Sequence, residues 1–210
     1  DETHDLLASL ISFHDIFTFD SANLQKILLF NQAQNKDILK AAPFIYMNSI
    51  GFILSFKDGS TFSENFSIVL NSIFSLSYYD YKNAFFLYFF ILEYFIEYNS
   101  NFIQENNVRL ICSHLCIQTK ANIMFYNILI EMLNKVKVCE KCLDQIFPTF
   151  AMVLQILSKK KLDIDISLLC EYVIQNLLNV KYQVFEVISA LSRRKEDHNV
   201  KKIFQLLPKS

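Results

Sequence analysis

With 210 residues, 52% of them apolar and 20% charged, the chain can bury a core and lacks the composition of a disordered tail. Its two glycines, Gly51 and Gly59, and three prolines exclude a glycine-rich phosphate loop, a dinucleotide fingerprint and a G-x-S-x-G nucleophile elbow. They also argue against turn-rich all-β folds. The net charge of −1 points to no polyanionic partner, yet it hides an asymmetry: residues 1–105 carry 5 Lys/Arg and 12 Asp/Glu, residues 106–210 carry 15 and 9.

The recurring pattern is a helix-length apolar segment followed by a short polar break. Residues 4–14 read as a first helix with Leu6, Leu7, Leu10 and Ile11 on one side. Asp20-Ser21 signals an N-cap for a helix through Phe30. A short helix is expected over 35–41, and Pro43 suits the first turn of a new one running to about Ser55. Asp58-Gly59 is a hairpin signal, but Thr61-Phe62-Ser63-Glu64 has capping-box spacing directly after it, so a loop followed by a helix through Leu76 is preferred. Tyr78-Tyr79-Asp80-Tyr81 reads as a helix junction. The most apolar helix follows over 81–97, and its run Ala84–Leu92 is too short to span a bilayer. A helix apolar on all sides is expected at the centre of the protein.

Further helices are expected over 102–116, 119–136 and 139–158, with Pro148 kinking or splitting the last. Asp165 is positioned to cap a helix through Asn179, in which Ile166, Leu169, Val173, Ile174 and Leu177 share one stripe. Segments 182–194 and 198–207 complete about eleven helices. The expectation is an all-α fold in a single domain over 1–210, complete or part of a longer array. Helix starts about 18–20 residues apart make a unit of about 40, the period of helix-pair solenoids. In helix length, short loops and Leu/Ile/Phe filling, residues 60–207 resemble the armadillo/HEAT-type helical repeats, without a residue-level repeat consensus. That resemblance implies a curved surface for a macromolecular partner. A compact multi-helix bundle is the alternative.

Five Cys, an odd number without a tight framework, read as reduced thiols of a cytoplasmic or nuclear protein. Cys112 and Cys116 share one helix face and Cys139 and Cys142 another, so two facing helices could hold zinc tetrahedrally. The competing and preferred reading is core cysteines, since free Cys packs as a small hydrophobe. His114 is read as a helix-surface or core-edge residue. Glu93 and Glu97 are read as a solvent-facing pair.

The basic clusters are the strongest functional signal. Lys159, Lys160 and Lys161, and then Arg193, Arg194 and Lys195, end predicted helices; Lys201 and Lys202 begin the last. The helix dipole alone favours cations at helix C-termini. If the helices stack regularly, these ends line one edge. The expected function is a non-catalytic adaptor or scaffold that binds a protein partner within a larger complex. The alternative is an RNA- or ribosome-associated factor gripping phosphate through that edge. No cofactor, metal, membrane or small-molecule substrate is expected.

Overall fold

The computed structural model describes residues 19–26, 38–56, 61–79, 81–117, 123–136, 140–159, 164–177, 182–194 and 196–207. Among these the regular structure is helical throughout, with no strand, so the all-α expectation holds. Residues 21–26 are helical. The longer helices are α1 (Ile38–Ser55), α2 (Phe62–Leu76), α3 (Tyr81–Asn99), α4 (Glu105–Ile117) and α5 (Ile123–Lys135). They continue as α6 (Glu140–Lys159), α7 (Ser167–Leu177), α8 (Tyr182–Leu191) and α9 (His198–Leu206). The expected first helix over 4–14 and the Asp58-Gly59 turn lie outside the described residues.

The helix starts follow their chemistry. The Asn23 amide donates to Asp20 Oδ1 at 3.1 Å, the Ser167 amide to Asp165 Oδ1 at 2.9 Å and the Asn199 amide to Asp197 Oδ1 at 2.8 Å. Each carboxylate satisfies a donor that the first helical turn leaves without a partner. Thr61 stands at the N-cap of α2 as expected but makes no side-chain cap bond there. The proline expectations need correction for a helix start at Pro43 and for a split at Pro148. Pro43 does not open a helix; it lies inside α1. Pro148 lies inside α6, which runs unbroken for 20 residues.

The chain divides into two compact units, Asp1–Phe95 and Ile96–Ser210. In the first, α1 packs on α2. Its centre is a cluster of phenylalanine rings: Phe95 lies 5.3 Å from Phe52, 5.0 Å from Phe62 and 5.3 Å from Phe66. Phe62 near the start of α2 meets Phe95 near the end of α3, while Phe74 meets Tyr88, so α2 and α3 run antiparallel. Buried Asn48 accepts the Asp20 amide at 2.9 Å and donates to the Phe44 carbonyl, tying the short N-terminal helical turn to α1. The helix α3 is not buried all round, contrary to expectation: Phe86 is 51% exposed.

In the second unit α6 packs against α4, α5 and α8, while α7 packs against α8 and α9. Three polar contacts join α5, α7 and α9. The Tyr126 hydroxyl near the start of α5 donates to the Asp165 carbonyl just before α7, and Tyr172 of α7 donates to the Leu133 carbonyl near the end of α5, both at 2.8 Å. Asn199 Nδ2 donates to Ser167 Oγ at 3.1 Å, joining the starts of α9 and α7. The first two contacts set α5 and α7 parallel, and the third brings the starts of α7 and α9 together.

The ring cluster sets a clear stability contrast. Replacing fully buried Phe95 by Ala should cost about 3–5 kcal/mol. Phe86→Ala on the same helix should change stability by no more than about 0.5 kcal/mol. Urea unfolding of both variants checks this; equal effects would show that the ring cluster does not hold the unit together.

Candidate functional site

The end of α8 and the starts of α7 and α9 meet at one corner of the second unit. Arg194 fixes it: its Nη1 donates to the Ile164 carbonyl at 2.9 Å, holding the end of α8 against the segment that follows α6. The basic residues singled out in the sequence thus divide. Lys159, Arg193, Lys201 and Lys202 are exposed, whereas Arg194 is half-buried and committed to the backbone. Lys201 Nζ lies 3.2 Å from Glu196 Oε2. Lys160, Lys161 and Lys195 lie outside the described residues. Acidic caps are interleaved with these cations. Asp165 and Asp197 each hold an amide, and the Ser167 bond keeps the Asp165 carboxyl below its ordinary range. The corner is of mixed sign rather than a uniform basic edge.

The cysteines and histidine sit on the α4–α6 contact. Cys112 and Cys142 are buried, and Cys116 Sγ lies 3.5 Å from Thr149 Oγ1 across the two helices. The facing arrangement of the thiols of α4 and α6 is therefore present for Cys112, Cys116 and Cys142; Cys139 lies outside the described residues. Burial pushes the Cys112 thiol up to about 12, against a hydrogen bond with Thr149 that lowers it. Such a thiol stays protonated and unreactive at neutral pH. Among the described residues no group of three His, Cys, Asp or Glu side chains is placed to hold a metal ion. His114 corrects the sequence reading: it is 4% exposed, and burial lowers its pKa to about 4. Glu97 is exposed and pairs with Lys135, which also lies 3.4 Å from Glu131.

A surface groove of about 410 Å³ opens between α6 and α8. Pro148, Met152 and Gln155 line it from α6, and Phe185, Glu186 and Ser189 from α8. Phe185 is 43% exposed there. No sequence motif marked these residues. The signal available was the i, i+4, i+7 spacing of Pro148, Met152 and Gln155, which puts them on one helix face. No helix among the described residues is long and apolar enough to cross a membrane. Comparison with family models finds no match to the chain, nor does comparison with curated proteins or with solved structures.

Two predictions follow from the burial of His114 and Arg194. The unfolded chain takes up a proton at an ordinary histidine pKa near 6.5 while the folded chain does not, so His114 favours folding above that pH and opposes it as pH falls toward about 4. Between pH 7 and pH 5 the loss should be about 2 kcal/mol, and His114→Gln should flatten that part of a urea-midpoint profile. An unchanged slope would exclude His114 as its source. Arg194→Ala should lower stability by about 1–2 kcal/mol and Arg193→Ala by less than about 0.5 kcal/mol, measured by thermal unfolding. Equal losses would mean that the Ile164 contact does not matter.

Proposed function

We propose that the chain is a non-catalytic adaptor whose second unit is an armadillo/HEAT-like helix-pair solenoid that binds a protein partner within a larger assembly. The observation that carries this reading is the packing of next-but-one helices. The helices α4, α6 and α8 contact in sequence as one row, α5 and α7 run parallel, and α9 meets α7 at their starts. Starts within these two series fall 31 to 44 residues apart, around the repeat length of such arrays, about 40. A repeat array buries one face of each helix against its neighbours and leaves the other as recognition surface. The groove beside Phe185 lies on such an outer face.

The titratable groups support binding rather than chemistry. Buried Cys112 and Cys170 are held protonated and buried His114 is held neutral, so none is poised to exchange protons or attack near pH 7. The RNA reading has Lys159, Arg193 and Lys202 in its favour. It is weakened by the commitment of Arg194 to Ile164, the pairing of Lys201 with Glu196 and the acidic caps among them.

The test is affinity capture of the tagged full chain from its source cell, with and without nuclease, at low and at moderate salt. Protein partners that survive nuclease and about 0.3 M salt are the expected result, because phosphate contacts weaken steeply over that range. Capture that collapses under nuclease would replace the adaptor reading with phosphate recognition.

A further inference from the structure

We propose that the α6–α8 groove docks a short segment of a partner protein that carries one bulky apolar side chain and, a few residues away, a pair of carboxylates. The inference rests on the adaptor reading and names the chemistry of its partner.

The groove combines two kinds of lining. Pro148, Met152 and Phe185 give it apolar surface, and Gln155 and Ser189 supply hydrogen-bonding groups. Four residues beyond Gln155 on the same face of α6 stands Lys159, and four beyond Ser189 stands Arg193; both are exposed. The bond from Arg194 to the Ile164 carbonyl holds the end of α8 to a residue five positions beyond Lys159, and a docked segment with its acids at that end would meet both cations. Within the groove Glu186 is the single carboxylate among the lining residues, and it disfavours acids at the centre of the occupant.

The volume of about 410 Å³ lies near the small end of ligand pockets and suits an anchoring side chain rather than a whole helix. From Met152 to Lys159 is seven residues of helix, about 10 Å along the axis. An extended peptide covers that in about three residues. The spacing predicted for the partner is thus an apolar anchor followed or preceded by two acids about three residues away. The central anchor is expected to supply most of the affinity, and the terminal charges the orientation and the salt dependence.

The test uses the full chain and fluorescein-labelled Gly/Ser peptides bearing one Leu or Phe and a Glu-Glu pair two, three, four or seven residues away, with Lys-Lys peptides as counterparts. Polarisation should show saturable binding of the Glu-Glu series, strongest near the three-residue spacing. Phe185→Ser should weaken it roughly tenfold or more while Phe185→Leu retains it. The double reversal Lys159→Glu with Arg193→Glu should lose the Glu-Glu peptides and gain the Lys-Lys ones, a gain that a merely unfolded variant would not give. Failure of every peptide, indifference to Phe185→Ser, or equal binding of both peptide charges would overturn the proposal. So would a uridine oligonucleotide that binds more tightly than any peptide and is lost with the same reversal. Nuclease-resistant cellular partners unaffected by Phe185→Ser would leave the adaptor reading standing and remove the groove from it.

Discussion

The second unit depends on α6 remaining one helix through Pro148. This helix packs on three others, and the groove is cut along its outer face. Proline lacks the N–H that would bond the Asp144 carbonyl, and its ring crowds that carbonyl, which ordinarily bends or breaks a helix. Pro148 lies half-buried and lines the groove. On the inner face Thr149 is buried and donates to the Gln145 carbonyl at 2.8 Å, so a polar group that would otherwise be unsatisfied in the core is paired. The proline ring contributes apolar surface to the groove.

Register is set differently from cohesion. The buried Ile, Leu, Val and Phe side chains pull the helices together but are tolerant of sliding, because apolar contact has little direction. Hydrogen bonds to backbone carbonyls are directional. Tyr126, Tyr172 and Arg194 each reach across some 30 to 40 residues of sequence to a carbonyl at or near a helix end. Leu133 lies in the last turn of α5, where carbonyls lose their intrahelical partners, and Ile164 and Asp165 precede α7, so each contact supplies a donor to an acceptor outside the regular ladder. A slip of one turn in α7 would break the Tyr126 and Tyr172 bonds together.

The sequence disclosed features that depend on local chemistry. Asp20 and Asp165 cap where their carboxylates reach amides two or three residues on, and the apolar stripe of 166–178 faces inward at Ile166, Leu169 and Val173. It misled where tertiary surroundings override a local rule. Pro43 looked like a helix start because only the packed fold lets α1 continue through it. His114 is buried although a lone polar residue on a helix reads as a surface or core-edge position, because burial depends on where the helix is packed and not on the residue type. The basic clusters were visible as composition. What was not visible is that Arg194 turns inward to a carbonyl while Arg193, one residue away, turns out; a change in helix face across adjacent residues can be read only once the neighbouring helix is known. The groove was hidden for the same reason, since Met152 and Phe185 lie 33 positions apart and meet only through the α6–α8 packing.

Charge and hydrophobicity therefore have separate assignments in this unit. Charge that could have formed a phosphate-binding edge is partly consumed by structure: Arg194 holds a backbone, Lys201 is paired, and two aspartates cap helices at the same corner. Apolar surface is the reverse case. The core takes nearly all large side chains of α6 and α8, yet Phe185 remains in solvent beside Met152 and Pro148. Single exposed apolar residues are ordinary on any surface. Three that converge on one concavity, with hydrogen-bonding groups beside them and uncommitted cations a turn beyond, are arranged as recognition sites for peptides are: an apolar pocket for affinity, a charged margin for direction. An edge built for nucleic acid would leave its arginines free and keep acids away. That distribution of committed and uncommitted groups is why a protein segment rather than nucleic acid is the proposed ligand of this face.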